Sequence, residues 1–449
     1  MATPNIIIIF ADDLGYGDLT CYGSKVNVTP RLDRMAAEGM CFTDFYVASP
    51  VCSPSRAALM TGCYPKRIGL DSGYDFAVLL PGDPIGLDSD KFTLSKMLKN
   101  AGYATKMIGK WHLGDQPDFL PSRHGFDSYF GLPYSNDMLP DNPHNKRFHC
   151  PPLPLMRDEE VIEIDPNQAS LTDRYTAEAI RFIEENAENN TPFFIYFPHM
   201  YVHTPIHTPM NYNTASKNGV YGAAVTHMDQ STGCILDTLK RMDIDDNTLV
   251  IFTSDNGSNG RDGGSNYPLR GTKGTTWEGG MREPCIMRWP GNVPAGKTCN
   301  DIVTTMDLMP TLAHLTNGVI PNDHILDGKD ISSLMLGTQD AWCPHKAFFY
   351  YGKGDHTLHA VRSEEWKLHL LRNELYDLNK DISEKQNMFE DKPEIVARLT
   401  ALADNCREEL GDDHTNNKGN NCKPVGRVKN PQMLTSIDMM DPIIQAMYD

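Results

Sequence analysis

Long apolar runs are missing from these 449 residues. The longest near the start, Ile6 to Phe10, is far too short to cross a bilayer or to form the core of a signal peptide, so no membrane or targeting segment is expected. Positive charge is scarce as well. Forty-one Lys and Arg against fifty-nine Asp and Glu leave a net charge of -18, which excludes nucleic acid as a partner, because phosphate binding needs a basic surface. Any anionic ligand must therefore meet a local positive field. The eleven cysteines contain no CxxC pair and no zinc-type Cys/His spacing, so a structural metal cluster is not expected. With Cys52 set aside, ten remain. That even number fits disulfides in an oxidising compartment and fits free buried thiols equally well. Internal repeats are absent.

What is present describes an ordinary globular protein: 40% hydrophobic residues, 22% charged residues and a mean hydropathy of -0.43. The length allows one large core with a smaller companion, or two or three ordinary domains. NIIIIFADD, TPFFIYFPH and NTLVIFTSDNG are short, apolar and rich in β-branched or aromatic residues, and they read as buried parallel strands. LTDRYTAEAIRFIEENAENN and VTHMDQSTGCILDTLKRM have helical periodicity, giving the alternation of an α/β domain. From about Ala347 the texture changes to AFFYYG, HAVRSEEWKLHLL and ELYDL, which read as antiparallel strands, followed by a helix near KPEIVARLTALADNCREEL. We divide the chain into an α/β catalytic domain, 1–345, and a C-terminal α+β subdomain, 346–449. Pro140 to Pro154 reads as a surface excursion, and the tail beyond Gly411 as loosely structured.

Two groups of residues carry chemistry. Asp12 and Asp13 directly follow one predicted strand, and Asp255 and Asn256 another. Beyond the carboxyl ends of parallel strands such pairs converge on the binding crevice. Three carboxylates and an amide oxygen suit Ca²⁺ or Mg²⁺ rather than zinc or copper, although Asp and Asn also end strands simply because they make turns. The second group is cationic. Lys110 and His112 lie two apart in GKWHLG, so an extended segment turns both to one side. His203 follows the strand FFIYF, and Lys273 sits in the Gly-rich loop RGTKGTTWEGG. Singly, each has a bland explanation as a solvated lysine, a satisfied histidine or a flexible turn. Together with a divalent ion they form a clamp for a tetrahedral anion.

Between these groups lies SPVCSPSRAALMTG, residues 49–62. Pro54 suits the first turn of a helix, which puts Cys52 at or near its N-cap, where unpaired backbone N–H groups attract anions and lower a thiol pKa. A thiol nucleophile is chemically possible there, yet a soft thiolate is a poor partner for Ca²⁺.

Cys52-Ser53-Pro54-Ser55-Arg56 followed by AALMTG closely resembles the signature of type I sulfatases, in which the cysteine is converted after translation to formylglycine, an aldehyde. FADDLGYGDL, TPRLDRMAAEGMCFTDFY, AGYATKMIGKWHLG, FTSDNG, GTKGTTWEGGMREP and WKLHLL…ELYDLNKD extend the resemblance over nearly the whole chain. It implies an alkaline-phosphatase-like α/β fold: a large mixed sheet flanked by helices, and a smaller C-terminal antiparallel sheet with a helix. It implies Asp12, Asp13, Asp255 and Asn256 as Ca²⁺ ligands, the modified Cys52 completing the shell, and Arg56 orienting that side chain. Lys110, His112, His203 and Lys273 match the family's sulfate-binding and proton-transfer positions, and Ser135 in PYSND matches a sulfate-contacting serine. In the implied mechanism one hydroxyl of the aldehyde hydrate attacks sulfur, and loss of a proton from the other, to His112, later expels sulfate. His203, assisted by Lys273, protonates the leaving oxygen.

PYSND and GTKGTTWEGGMREP look like the branch containing arylsulfatase A and N-acetylgalactosamine-6-sulfatase. The resemblance thus implies an exo-acting enzyme on 4- or 6-sulfated galactose or N-acetylgalactosamine, a formylglycine-generating maturation enzyme as partner, and export to a periplasmic, secreted or lysosomal location, with the signal already removed. Asp71, Asn136, Asp137 and His144 are candidate sugar contacts in loops around the pocket, a role no more expected than that of ordinary polar loop residues. Three rival readings stand beside this one. They are an arylsulfatase of broad small-molecule specificity, a phosphatase or phosphodiesterase of the same superfamily, and a binder of sulfated glycans that does not turn them over.

Overall fold

The computed structural model describes residues 3–140, 142 and 148–434. Its centre is the strand Asn5–Ala11, which pairs in parallel with Phe193–Pro198 on one side and Thr248–Ser254 on the other. The unbroken apolar run of this strand follows from its place, because helices cover both faces and every residue is buried. Successive side chains alternate between two cores. Ile6, Ile8 and Phe10 pack with Leu59 and Met60 of helix Cys52–Thr61 and with Leu308 and Leu312 of helix Leu308–Thr316. Ile7, Ile9 and Ala11 pack with helices Leu171–Glu188 and Gly219–Arg241 on the opposite face. Truncating any one of these isoleucines to alanine removes core from one layer only, at a cost of roughly 2–5 kcal/mol.

The sheet extends through the parallel strands Ala104–Lys110 and Ser128–Leu132 to an antiparallel hairpin at one edge. At the other edge Arg282–Arg288 runs antiparallel to both Thr248–Ser254 and Met40–Tyr46. Among the described residues eleven strands result, in the mixed arrangement expected.

A second, four-stranded antiparallel sheet is formed by Phe348–Tyr351, Leu358–Ser363, Trp366–His369 and Glu374–Asp377 in sequential order. Leu399, Ala403, Cys406 and Leu410 of helix Pro393–Leu410 recur at helical spacing and bury one face of the helix against it. This core is shared with Tyr46, Tyr64 and Met281 of the larger unit. Charge also joins the smaller sheet to the larger unit, since the buried Lys367 ammonium lies 2.9 Å from Glu278, at the start of the short helix Glu278–Met281, and 2.9 Å from Glu384.

Two expectations are corrected. The tail after Gly411 is not loose as far as residue 434: Lys423 donates its amide to Arg67 O at 2.7 Å, and Gln432 and Gln116 exchange hydrogen bonds. The excursion Pro140–Pro154 lies partly outside the described residues, and its described end dips inward, with Cys150 and Leu153 buried. All eleven cysteines are free thiols, six of them buried, two exposed and three between, so no disulfide is formed. Among the described residues no helix is long and apolar enough to cross a membrane.

Candidate active site

The carboxyl ends of the central strands meet at one point. Asp12 and Asp13 leave the strand Asn5–Ala11, and Asp13 takes a left-handed turn with φ of 63°. The Asp255 amide donates to Ala11 O at 3.0 Å and the Asp13 amide to Asp255 Oδ1 at 3.1 Å, so backbone pairing carries the two strand ends into one cluster. Asn256 Nδ2 donates to Asp13 Oδ1 at 2.8 Å. All four side chains are buried.

Three cations close on these three carboxylates. Lys110 Nζ lies 2.5 Å from Asp12 Oδ2, the Arg56 fork donates to Asp255 Oδ2 at 2.7 and 3.1 Å, and Lys273 Nζ lies 2.6 Å from Asp13 Oδ1. Burial alone would raise the Asp12 pKa, but Lys110, His203, Arg56 and Lys273 together hold it below the usual range. For Asp255 burial wins and, with Asp12 beside it, pushes the carboxyl up to about 7 against the pull of Arg56. Lys110 and Lys273 resist their own desolvation because Asp12 and Asp13 keep them charged, so both pKa values rise.

Cys52 is the first residue of helix Cys52–Thr61, with Val51 as N-cap. Its sulfur lies 3.6 Å from Lys273 Nζ. Burial pushes the thiol up to about 11 despite Lys110 and Lys273, so the unmodified side chain is a protonated thiol at neutral pH and a weak nucleophile. Arg56, one helical turn on, donates to Lys110 O at 2.8 Å as well as to Asp255, fixing the helix start against both strand ends.

The two histidines are held by backbone carbonyls, and those contacts settle their tautomers, since a carbonyl only accepts. His112 Nε2–H donates to Leu79 O at 2.9 Å and leaves Nδ1 without a partner. Burial, then Lys110, pushes His112 well below its ordinary value, so the ring is neutral with an open lone pair on Nδ1. The extended backbone expected through Lys110 and His112 ends at Lys110, since His112 has φ of 60°; the turn still leaves both side chains in the cluster. His203 Nδ1–H donates to Thr204 O at 2.6 Å, and its Nε2 faces Asp13 Oδ2 at 3.8 Å. Ser135 Oγ accepts from Lys110 Nζ at 3.2 Å.

The donor set fits a hard divalent cation. Asp12 Oδ1 and Asn256 Oδ1 are buried oxygens with no donor, and such atoms are costly unless something satisfies them. Ligand atoms of Asp12, Cys52 and Asp255, and those of Asp13, Cys52 and His203, lie within 4.8 Å of one another. With Asp255 ionised as a metal ligand, three carboxylates balance Lys110, Arg56 and Lys273, so the added dication leaves the site net positive, ready for an anion.

A cavity of about 110 Å³ lies over Cys52, lined by His112, Ser135, Asp137, His203 and Lys273, with half-buried Phe76 and Phe148 and exposed Lys353 toward solvent. Asp71 is engaged elsewhere, accepting from His356 Nδ1 at 2.6 Å with Lys66 Nζ 3.7 Å away. Asn136 commits its amide to Gln168 Oε1 and Pro205 O, both at 3.0 Å, and ties loops together. Asp137 lines this cavity and also a neighbouring one of about 740 Å³ that includes Gln168, Thr204, His207 and Arg261. His144 lies outside the described residues. Sequence reading missed Leu79, Phe76, Phe148 and Lys353. Leu79 acts through its carbonyl, which no side-chain pattern reveals, and Lys353 arrives from the smaller sheet.

Comparison with known proteins shows the family. The family model described as Sulfatase matches residues 4–319, and one described as N-sulphoglucosamine sulphohydrolase, C-terminal, matches residues 272–409. N-acetylgalactosamine-6-sulfatase of Canis lupus familiaris is 41% identical over 382 residues, covering 82% of this chain and 71% of that protein. Arylsulfatase A of Homo sapiens is 36% identical over 449 residues, covering 89% and 87%. Among solved structures, Ps i-CgsB superposes with a TM-score of 0.80 at 32% identity over 90% of this chain and 92% of that one. PsFucS1 sulfatase from Pseudoalteromonas sp. superposes with a TM-score of 0.82 at 27% identity over 94% and 92%.

Proposed function

The chain belongs to the sulfatase family and is a sulfuric ester hydrolase; from that premise we propose that it removes sulfate from the 4- or 6-position of terminal galactose or N-acetylgalactosamine in a glycan, using Ca²⁺ and a formylglycine made from Cys52 by a maturation enzyme. The observation that carries this reading is the small cavity over Cys52 within a ring of opposed charges. Its volume of about 110 Å³ is far below the roughly 300 Å³ of ordinary small-molecule pockets. It suits a sulfate group and little more, so the sugar must extend outward from it. Similarity to N-acetylgalactosamine-6-sulfatases supports the sugar class.

Asp12, Asp13, Asp255 and Asn256 would hold the calcium, and the position of Cys52 Sγ is where the modified side chain would join them. When bound, calcium supplies Lewis-acid stabilisation of charge on sulfate oxygens. The formylglycine hydrate supplies a hydroxyl nucleophile and a second hydroxyl whose deprotonation permits product release. The chain's own residues do the rest. Lys273 lines the cavity beside Cys52, and Lys110, fully buried behind it, adds its charge through Ser135, which lines the cavity and accepts from its ammonium. Arg56 touches no solvent and acts by fixing the helix start and Asp255. Neutral His112 accepts a proton at Nδ1. His203, held through Nδ1–H, acts in its doubly protonated form, passing the Nε2 proton to the leaving oxygen and returning to the neutral Nδ1–H tautomer. Preorganised donors of this kind contribute about 2.7–4 kcal/mol each when removed singly.

Peptide mass spectrometry tests the nucleophile: Cys52 in the active protein should have exchanged sulfur and two hydrogens for one oxygen. Chromatography of 4- and 6-sulfated galactose and N-acetylgalactosamine oligosaccharides tests the substrate. Release of sulfate from the non-reducing terminal unit alone is expected, and release from internal units would overturn exo action.

A further inference from the structure

We propose that Lys353, supplied by the smaller sheet, reads a second anionic group on the substrate, beside the sulfate ester that is cleaved. The inference rests on the sulfatase reading above and adds to it the substrate's charge pattern. The cavity over Cys52 accommodates one sulfate, so any other charge on the substrate lies beyond it; apart from the groups around Cys52, the lining is mostly apolar, Phe76, Ala77, Val78, Leu80 and Phe148, with Asp137 as its carboxylate. Lys353 is the cation in that lining outside the ring of buried charges. Lys110, Lys273 and Arg56 are each matched by a carboxylate. Lys353 has no ion pair or hydrogen bond among the described residues, and the nearby Asp355 carboxylate is taken by His359 Nε2 at 2.7 Å. On a chain of net charge -18, such a cation is not part of a general basic surface.

Its position is built. Lys353 lies in the turn between strands Phe348–Tyr351 and Leu358–Ser363, closed by the Gly352 amide donating to Thr357 O at 2.9 Å. The neighbouring Gly354 sits so close to the cavity wall that a Cβ there would lie 3.1 Å from Ala77 Cα. The side chain then runs across Gly274, the residue after Lys273, where a Cβ would stand 3.0 Å from Lys353 Cδ and 3.5 Å from Nζ. Gly274 has φ of 81° and donates its amide to Pro50 O at 2.9 Å, so the surface that Lys353 crosses is anchored beside the loop preceding Cys52. A lysine stem laid on backbone with its ammonium toward the cavity loses less freedom on binding an anion than a lysine free in solvent.

The test compares wild type with Lys353→Ala and Lys353→Arg on paired probes. One pair is 4-nitrophenyl sulfate and a phenyl sulfate bearing a ring carboxylate. The other arms are mono- and disulfated N-acetylgalactosamine and a disaccharide joining one sulfated unit to a uronate, which separate a second sulfate from a carboxylate. Lys353→Ala should raise KM about tenfold on probes with two anions, a loss of the size of one charge-assisted contact. It should leave 4-nitrophenyl sulfate within about twofold, and Lys353→Arg should restore most of the loss. Equal losses on both members of a pair, or no loss on any two-anion probe, would overturn the proposal. Wild-type turnover of aryl sulfates without turnover of any saccharide would remove the glycan reading, and the aryl pair would still decide Lys353. Calorimetric binding of the same saccharides to protein retaining the Cys52 thiol gives the comparison without turnover.

Discussion

Lys110 and Asp12 form an ion pair with no exposure on either side chain, Nζ to Oδ2 2.5 Å, at the meeting point of two parallel strands. Truncating one member of such a pair leaves a buried charge uncompensated, at roughly 3–5 kcal/mol. Asp12 would also be a calcium ligand, so the cost should depend on the ion. We expect Lys110→Ala to lower the melting temperature more in chelator than in excess calcium, and to cut turnover about 10²–10³-fold in excess calcium. Equal destabilisation in the two buffers, measured by differential scanning calorimetry, would count against calcium at this cluster.

Cys52→Ala should abolish sulfate release while leaving the fold intact. The side chain begins a helix whose other residues are all buried, and the cavity left by one sulfur atom is small. Activity above the uncatalysed rate in a sample with native circular dichroism would remove Cys52 from the reaction.

His203→Gln isolates the acid. Its Nε2 lies near Asp13 Oδ2, and its partner through Nδ1 is a backbone carbonyl that glutamine does not need in order to fold. General acid help is worth about 10²–10⁴-fold and matters most for poor leaving groups. Sulfate esters of sugars should lose that much in kcat, and nitrocatechol sulfate less than about tenfold. Parallel losses on both would assign His203 to binding instead.

Acid stability should report His199. Burial among apolar groups pushes this imidazole down to about 3, and both ring nitrogens lack partners. The unfolded chain takes up the proton near pH 6.5 and the folded chain does so only near 3. The stability from keeping the ring neutral is therefore complete above about pH 6.5 and falls away as the pH drops toward 3, by an order of a few kcal/mol. His124 is pushed down to about 3 in the same way. His199→Phe should flatten this limb in urea titrations between pH 7 and 4, and an unchanged slope would show that the ring is hydrated in solution.

The sequence alone determined much of the central architecture. Ile6–Phe10 has no solvated face, which only a strand covered on both sides tolerates, and the dyads Asp12-Asp13 and Asp255-Asn256 stand where parallel strands end. The cysteine motif and its wider resemblance placed Cys52, Arg56, Lys110, His112, His203 and Lys273 in one alkaline-phosphatase-like site. Those residues are legible because chemistry restricts their type and local structure restricts their spacing.

Contacts between distant segments were decided by tertiary structure. Asp71 is a candidate sugar contact by sequence, yet the fold engages it with His356 and Lys66. The neutral tautomer of His112 depends on the Leu79 carbonyl, a group that every residue carries. Lys353 reaches the cavity from a hairpin of the second sheet, where nothing local distinguishes it from a solvated turn lysine. Short-range pattern reports backbone geometry and residue chemistry. Burial, charge pairing and the outer wall of a pocket are sums over segments that meet only when the chain is folded.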